Sequence, residues 1–370
     1  MEERICVHCG CVIEGEGYWV GSDVLCDDCA SELTAICCDC DERFYVADDC
    51  GDAWHFLCRS CYEDRYTRCE RCGEAIRYDE AFHVDEGYYE GEDLCENCYD
   101  SIKAELETVI HDYSYRPDPQ FHGVGPEYMG VELEVDGAGE DDDYAGRVLN
   151  IFNDNKCFAY CKHDGSLDDG FEIVTHPCTL DIHRSEVPWG RAVDELKDYG
   201  YTSHDAGTCG LHVHVSRKAF GASEDDQDNA IARVLYFFEA HWDELLRFSR
   251  RTQSQLARWA ARYGYERDPK DILDKAKDAD RYTAVNLKNR HTVEFRMFRG
   301  TLKLNTILAT LELIHLVCEL ANSLDDEEMQ ELSWTRFVSD IDTDAYPELI
   351  QYLKERRIYI NDPVEAEDEV

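Results

Sequence analysis

Six Cys-x2-Cys pairs occupy the first hundred residues and offer the soft sulfur ligands that Zn²⁺ prefers in proteins. The first cysteines of alternate pairs, Cys6, Cys37 and Cys69, lie 31 and 32 residues apart, so the pairs form three repeated modules. Two tight turns with two thiolates each can close a tetrahedral shell around one ion. The spacing predicts about three structural zinc ions, held by Cys6, Cys9, Cys26 and Cys29; by Cys37, Cys40, Cys58 and Cys61; and by Cys69, Cys72, Cys95 and Cys98.

In the second module the identity of two zinc ligands is left undecided by the spacing. Cys38 competes with Cys37, and His55 precedes Cys58 by three residues, as in the first site of a LIM module. The all-cysteine set is the favoured interpretation, and the array resembles LIM or treble-clef zinc modules. A redox dithiol needs one exposed pair rather than six, and an intracellular setting disfavours disulfides.

A second group of residues able to do chemistry lies on predicted strands. Glu132 and Glu134 stand two residues apart in GVELEV, so both carboxylates project from one face of a strand. Alone, this pattern is most often a solvent-exposed strand face. The arrangement recurs, however, in three further strands, which carry Glu172, then His212 with His214, and then Glu294 with Arg296.

A sheet face lined with carboxylates needs compensating cations, and oxygen ligands with one imidazole suit Mg²⁺ or Mn²⁺ bound to nucleotide phosphates. Arg296 and Arg299 would then neutralise charge on a transferred phosphoryl group. Strict alternation points Arg299 away from Glu294, so Arg299 reaches that site only if the strand ends or bulges at Phe298. The chain has no GxxxxGK[ST] loop and no convincing Ser-His-Asp or Cys-His set. Its tryptophans Trp189, Trp242 and Trp259 are interpreted as core residues.

These residues need a sheet and helices to position them. Apolar alternation and helical periodicity predict an α+β fold with a largely antiparallel sheet, preceded by the three small zinc modules. The predicted strands are 130–135, 170–175, 210–216, 282–287 and 292–298. The predicted helices are 100–112, 191–199, 223–251, 254–263, 269–279, 305–323 and 346–357.

The change in cysteine density predicts the domain boundaries. Zinc modules are expected at residues 1–34, 35–66 and 67–113, the last with a terminal helix. A linker rich in proline and glycine follows at 114–124, then a catalytic domain at 125–360 and an acidic tail at 361–370.

The charge of the chain excludes several partners. With 37 basic and 81 acidic residues among 370, the formal net charge is −44. Residues 1–100 alone hold 27 acidic and 7 basic side chains. Such a surface repels nucleic acid and anionic lipid, and no apolar run of ~20 residues is apparent that would span a membrane. The dispersed acidity predicts a cytoplasmic protein of a high-salt, halophilic cytosol, or one encoded by a virus of such a host; ordinary acidic composition is the alternative.

The ordered motifs resemble the amidoligase family, carboxylate–amine ligases of the glutamine synthetase-like fold that also includes glutamate–cysteine ligases. The resemblance covers about residues 123–323. It rests on the order and strand setting of five motifs: GVELE at 130–134, HDGSL at 163–167, GFEIVTHP at 170–177, CGLHVHVS at 209–216 and NLKNRHTVEFRMFRGTL at 286–302.

The resemblance implies that the paired glutamates, the later glutamates and one histidine hold magnesium or manganese under ATP, with an arginine on the phosphates. Carried onto this chain, the metal ligands are Glu132, Glu134, Glu172, His212 and Glu294, and the phosphate contact is Arg296. Asp164 and His214 are further candidates for contact with substrate or metal.

The implied activity is ATP-dependent formation of an amide, peptide or isopeptide bond between a carboxylate and an amine through an acyl phosphate. The zinc modules would recruit a protein or peptide substrate. The alternative is a non-catalytic, zinc-binding interaction or structural component, viral in one version, that keeps the ligase fold. A metal-dependent hydrolase is a third class, disfavoured because no metallohydrolase motif is recognised.

Overall fold

A computed structural model describes residues 4–85 and 89–359. The chain divides into two compact units, residues 1–108 and 109–370. The division falls ahead of the linker predicted at 114–124, because residues 110–111 already belong to the large sheet of the second unit. The predicted acidic tail, 361–370, lies outside the described residues.

The first unit repeats one small motif three times. In each module the first cysteine pair lies on a turn and the second pair begins a helix, with Cys26, Cys58 and Cys95 directly before the first helical residue. Two-stranded antiparallel hairpins connect the parts. The elements are β1 (Tyr18–Val20), β2 (Asp23–Leu25), α1 (Asp27–Leu33), β3 (Thr34–Ile36), β4 (Arg43–Tyr45), α2 (Arg59–Arg65), β5 (Tyr66–Arg68), β6 (Ala75–Arg77) and α3 (Glu96–Glu107).

The cysteine turns share one backbone geometry. The residue after each second cysteine has a positive φ: 76° at Gly10, 60° at Asp41 and 78° at Gly73. Its N–H donates to the carbonyl of the first cysteine at 2.8–3.0 Å. Glycine adopts this left-handed conformation without steric cost, whereas Asp41 pays for its Cβ. The repeat is therefore structural as well as sequential.

Each module has only a very small apolar core. A fully buried leucine precedes the second cysteine pair in every module, as Leu25, Leu57 and Leu94. Each leucine shares a small cluster with cysteines of its own module. Units of about 30 residues cannot bury enough apolar surface to be stable alone, so metal ligation is the expected source of stability.

The second unit is built on a seven-stranded sheet in the order β12-β13-β11-β8-β10-β9-β7. Neighbouring strands are antiparallel except for β7 and β9, which are parallel. The strands are β7 (Ile110–His111), β8 (Met129–Asp136), β9 (Ala159–Lys162), β10 (Gly170–Thr175), β11 (Gly210–Ser216), β12 (Val285–Asn286) and β13 (Thr292–Arg299).

Helices pack with the sheet into one apolar core, in which Val131, Leu133 and Val135 of β8 are fully buried. The opposite face of β8 carries Glu132 and Glu134, as alternation requires. The helices are α4 (Asp142–Phe152), α5 (Leu180–Ser185), α6 (Trp189–Asp198), α7 (Glu224–Ala240), α8 (Trp242–Ser249), α9 (Gln253–Trp259), α10 (Pro269–Asp278), α11 (Leu304–Ser323), α12 (Asp326–Glu331), α13 (Trp334–Ser339) and α14 (Pro347–Glu355).

The α+β prediction with a largely antiparallel sheet is confirmed. The single helix predicted at 223–251 is wrong in one respect, because it divides at His241 into α7 and α8. In the second unit, strands β7 and β9 and helices α4, α5, α12 and α13 have no counterpart among the predicted elements, and β7 lies in the last part of the helix predicted at 100–112. These elements are short or, like α4, begin in a run of acidic residues that obscures the apolar stripe.

Helix α11 corrects the expectation about apolar stretches, because it is long and apolar enough by length and composition to cross a membrane. About two thirds of its most apolar window, 67%, is buried inside the fold. It contacts α14, α7 and α5 there. Packing on several sides explains why this helix is apolar around its circumference.

Zinc removal should unfold the modules selectively. Binding at such sites contributes ~10–16 kcal/mol, comparable to the whole stability of a domain, ~5–15 kcal/mol. We expect native mass spectrometry to find three zinc ions, and chelation to abolish amide-exchange protection in residues 4–108 while that of 129–359 persists.

The matched variants are Cys40→Ser and Cys50→Ser. Cys40 belongs to the four-cysteine cluster of the second module, and Cys50 belongs to none of the three four-cysteine clusters of the first unit described above. The first should reduce the zinc content to two and the second should leave it at three. Protection that survives complete metal removal would contradict the prediction.

Candidate active site

The four central strands bring the predicted residues together by direct cross-strand pairing. Glu172 of β10 lies opposite Glu134 of β8. His212 of β11 lies opposite Glu132 of β8, and His214 lies opposite Glu294 of β13. Directly opposed residues have Cβ atoms ~4.5–5.5 Å apart. The register therefore gathers four carboxylates and two imidazoles into one surface, here called the carboxylate–histidine face: Glu132, Glu134, Glu172, His212, His214 and Glu294.

Glu132 lies at the centre of this face. One carboxylate oxygen is 3.2 Å from His212 Nδ1 and the other is 3.2 Å from His214 Nε2. Burial opposes ionisation of Glu132, but the two imidazoles outweigh it and hold its pKa well below the usual range. For His214, burial lowers the pKa, but Glu132 and Glu294 raise it overall. Glu132 is therefore an ionised ligand for any cation at this face.

Glu134 and Glu172 form the deeper part of the face. Glu134 Oε2 accepts a hydrogen bond from the backbone N–H of Gly210. Glu172 lies 3.0 Å from Lys162 Nζ, and both side chains are almost completely buried. Burial raises the pKa of both carboxyls, and repulsion by Asp164 adds to this for Glu134 and by Glu132 for Glu172. An ionised carboxylate at this depth is costly without a cation, and Lys162 supplies one for Glu172.

Glu294 is fixed by two amides. Its Oε2 accepts hydrogen bonds from Asn286 Nδ2 at 2.7 Å and Asn289 Nδ2 at 3.0 Å. Its Oε1 pairs with Arg296 on the same strand. Burial opposes ionisation, but His214 and Arg296 lower the pKa of Glu294 overall. The amides orient one oxygen and leave the other directed toward the histidines.

The donor sets fit divalent cations. Glu132, Glu172 and His212 form one group of atoms within 4.8 Å of one another, and Glu132, His214 and Glu294 form a second. Glu132 is common to both. Carboxylate oxygens with one imidazole each match the preference of Mg²⁺ or Mn²⁺ better than that of softer metals. The face therefore has the composition of a two-cation site with a shared carboxylate.

A cavity of about 390 Å³ adjoins this face and is here called the site cavity. Its lining includes Glu134, His212 and Arg296 from the sheet. It also includes Arg251, Arg258 and Trp259 from the segment that follows α8. A Cβ at Gly210 would lie 2.6 Å from His212 Nε2 and 2.9 Å from Arg251 Nη2, so only glycine allows these groups to approach. The cavity thus combines acidic and basic walls, as a site for a phosphorylated ligand needs.

Two candidates lie away from the centre of the face. Asp164 is half-buried in the loop after β9, where its Oδ1 accepts a 2.7 Å hydrogen bond from the Ser166 N–H. Strand β13 runs through Arg299, and its register against β11 shifts between Phe295 and Phe298, yet Arg299 lines a different cavity from Arg296. The structure therefore does not bring Arg299 to the carboxylate–histidine face.

Several residues of the site were missed by the sequence analysis. Lys162 precedes the HDGSL motif, but β9 was not recognised and so its direction was unknown. Arg251 lies in the connection between α8 and α9, and Arg258 lies on α9, and neither position carries a distinguishing sequence pattern. Trp259, interpreted as core, is half-buried and lines the site cavity, whereas Trp189 and Trp242 are buried as expected.

The cysteine clusters have the predicted composition in modules two and three, including Cys37 rather than Cys38. His55 is exposed and contacts Asp52. In the first module the group of neighbouring sulfur atoms is Cys6, Cys9, Cys11 and Cys26, with Cys11 in the place predicted for Cys29, and the Cys11 sulfur is 3.3 Å from that of Cys9. Backbone N–H groups overcome burial and lower the pKa of Cys37 and Cys69 to about 7, which favours the thiolate that binds zinc.

Comparison with known proteins gives a family match within the second unit. The family model described as "Putative amidoligase enzyme" matches residues 127–317, just over half of the chain. The search of curated proteins finds no significant match. Among solved structures, the chain is similar to the complex between the prokaryotic ubiquitin-like protein Pup and its ligase PafA, at 11% identity and a TM-score of 0.28. That similarity covers 55% of this chain and 50% of the other.

The matched region includes every residue of the carboxylate–histidine face. The chain belongs to the amidoligase family.

Divalent cations should stabilise the second unit through the carboxylate–histidine face. At a hundred times Kd, a ligand that binds only the folded state adds ~2.7 kcal/mol, or about 5–10 °C in the unfolding midpoint of a domain this large. We expect Mg²⁺ or Mn²⁺ to produce this shift in differential scanning calorimetry.

Glu132→Gln removes the ligand common to both groups and should reduce the shift to below about 2 °C. Asp340→Asn makes the same change of charge at an exposed position and should retain the full shift. An equal shift in both variants would place the cations elsewhere.

Proposed function

We propose that this protein forms an amide bond through an acyl-phosphate intermediate at the carboxylate–histidine face. The observation that carries the proposal is Glu132, which belongs to two donor groups beside Arg296. Two cations that share a carboxylate can bind a nucleoside triphosphate, because they offset the charge of its β- and γ-phosphates.

The proposed reaction balances without a nucleophile from the protein. A carboxylate oxygen of the substrate attacks the γ-phosphorus, the bond to the ADP oxygen breaks, and an acyl phosphate forms. An amine then attacks the acyl carbon, and phosphate leaves with the original carboxylate oxygen. The amine loses a proton to solvent or to a carboxylate at the site, and the products are amide, ADP and phosphate.

The residues of the chain contribute charge and position. Arg296 lines the site cavity beside Glu294, where its guanidinium can contact transferred phosphate oxygens. Arg251 reaches the same cavity from another wall. Asp164, His214 and Arg296 are the candidates for contact with the reacting groups, while Asn286 positions Glu294.

Hydroxylamine provides a test that does not require the natural amine. It traps an acyl phosphate as a hydroxamate, so ATP, Mg²⁺ and a panel of free amino acids, peptides and proteins should reveal the carboxylate as a hydroxamate detected by mass spectrometry. Arg296→Gln should lower the rate by ~10²–10³-fold, the usual cost of one donor to a developing charge.

Two controls make the result specific. Asp340→Asn should keep the full rate, and carboxylate labelled with ¹⁸O should transfer one ¹⁸O to phosphate. Release of ADP without ¹⁸O transfer, or no nucleotide turnover with any carboxylate, would contradict the acyl-phosphate route and favour the non-catalytic alternative.

The zinc modules are proposed to recruit a protein or peptide substrate. Trp54 of the second module is 84% exposed and Trp19 of the first is 51% exposed, and Phe56 is also exposed. Aromatic side chains are enriched at protein interfaces because they bury a large area with few rotatable bonds.

Trp54→Ala should raise the KM for a protein-borne carboxylate about tenfold in the hydroxamate assay, while kcat and the KM for a free amino acid stay unchanged. Phe121→Ala, an equally drastic truncation of an exposed aromatic residue in the second unit, should leave both substrates unaffected. A KM that does not change in Trp54→Ala would remove Trp54 from recruitment.

A further inference from the structure

A second cavity of about 590 Å³, here called the basic cavity, lies beside the end of strand β13. Its lining contains one carboxylate, Glu355, which pairs with Lys303. The other charged side chains of its lining are basic, and His204 lies with them, in a chain that holds more than twice as many acidic as basic residues. These side chains are Lys197, His204, Arg250, Arg299, Lys303 and Arg356.

Two of the arginines have unsatisfied donors. The Nε atoms of Arg250 and Arg299 are buried and have no hydrogen-bond acceptor among the described residues. Across residues 4–85 and 89–359, no carboxylate lies within 4.0 Å of either guanidinium. Buried donors and cations without partners are costly, so a compensating group from outside the chain is expected.

Neutral groups hold Arg250 in place. Its Nη2 donates to the carbonyl of Arg299 at 2.6 Å, and its Nη1 is 3.1 Å from His204 Nδ1. Burial, Arg250 and Arg299 together lower the pKa of His204, which keeps its imidazole neutral and able to accept. These contacts orient the guanidinium without neutralising its charge.

The backbone at Arg250 is strained in a way that serves both cavities. Arg250 has φ of 62° at the end of α8, a left-handed conformation that costs a non-glycine residue ~1–2 kcal/mol. The turn directs Arg250 into the basic cavity and the next residue, Arg251, into the site cavity. Strain of this kind persists where the surrounding structure requires a particular geometry.

We propose that the basic cavity binds a carboxylate or phosphate group of a ligand that carries at least two negative charges. Five cationic side chains against one carboxylate disfavour neutral and cationic ligands. The planar guanidinium groups of Arg250 and Arg299 match two oxygens of a carboxylate or phosphate. Thr301 and Thr306, which also line the cavity, offer hydroxyl donors. The site is distinct from the carboxylate–histidine face and its binding does not depend on turnover.

Isothermal titration calorimetry on the full chain tests this proposal, without nucleotide or divalent cation and at fixed ionic strength. Citrate serves as the tricarboxylate probe and pyrophosphate as the phosphate probe. Binding of either at one site per chain supports the proposal, and the tighter probe identifies which chemistry the natural ligand carries.

The variants separate this cavity from other basic surfaces. Arg250→Gln and Arg299→Gln should each weaken binding about tenfold or more, since each removes a charge-assisted hydrogen bond. Arg356→Gln should weaken it several-fold and provides a test if the other two variants do not fold. Arg336→Gln, a matched loss of charge on α13, should bind as the unchanged protein does.

Three results would overturn the proposal. The first is the absence of binding by both probes. The second is equal weakening in Arg336→Gln and Arg356→Gln, which would indicate non-specific attraction. The third is loss of binding in Arg296→Gln with no loss in Arg356→Gln, which would place the probe in the site cavity. All three are measured without amide formation and are therefore independent of the proposed ligase chemistry.

Discussion

Repulsion between carboxylates in direct cross-strand register is the constraint on which the second unit depends. Glu134 and Glu172 oppose each other on the two central strands β8 and β10, and Glu132 lies two residues from Glu134 on the same face. Like charges in opposed positions destabilise a sheet. The apolar face of the same strands, packed with Val131, Leu133 and Val135, fixes the register, because a slip of one residue would turn the glutamates into the apolar core and the apolar side chains out of it. Packing of the apolar core therefore holds these carboxylates close together, but the core offers no positive charge that would reduce their repulsion.

The chain relieves part of this repulsion with its own cations. Lys162 pairs with Glu172, Arg296 pairs with Glu294, and the two histidines share Glu132. Lys162 is buried with its partner, so that ion pair is rigid, whereas Glu132 remains partly accessible. The fixed pairs define the walls of the site, and the accessible carboxylate between the histidines is the position where external cations are best accommodated.

The sequence alone was sufficient for the parts of this structure that depend on local periodicity. Glutamates and histidines two residues apart in apolar strands could be assigned to one face, and their strands were found where predicted. Lys162 could not be found in this way, because its short strand lacks a repeating pattern. The positions of Arg299 and Trp259 relative to the site depend on where a strand or helix ends and on what lies beyond that end. Tertiary packing, rather than the local sequence, determines both.

The seven-stranded sheet also has consequences for how the molecule meets other chains. Its two outer strands, β7 and β12, are only two residues long, so each margin exposes few unpaired backbone N–H and C=O groups. Long free edges are the usual starting point for strand addition and aggregation. A sheet that stops abruptly on both sides is poorly suited to extension by another β-strand. An extended peptide would therefore form few backbone hydrogen bonds at the margins of this sheet. The side chains in the cavities of the second unit are the groups that remain for recognition.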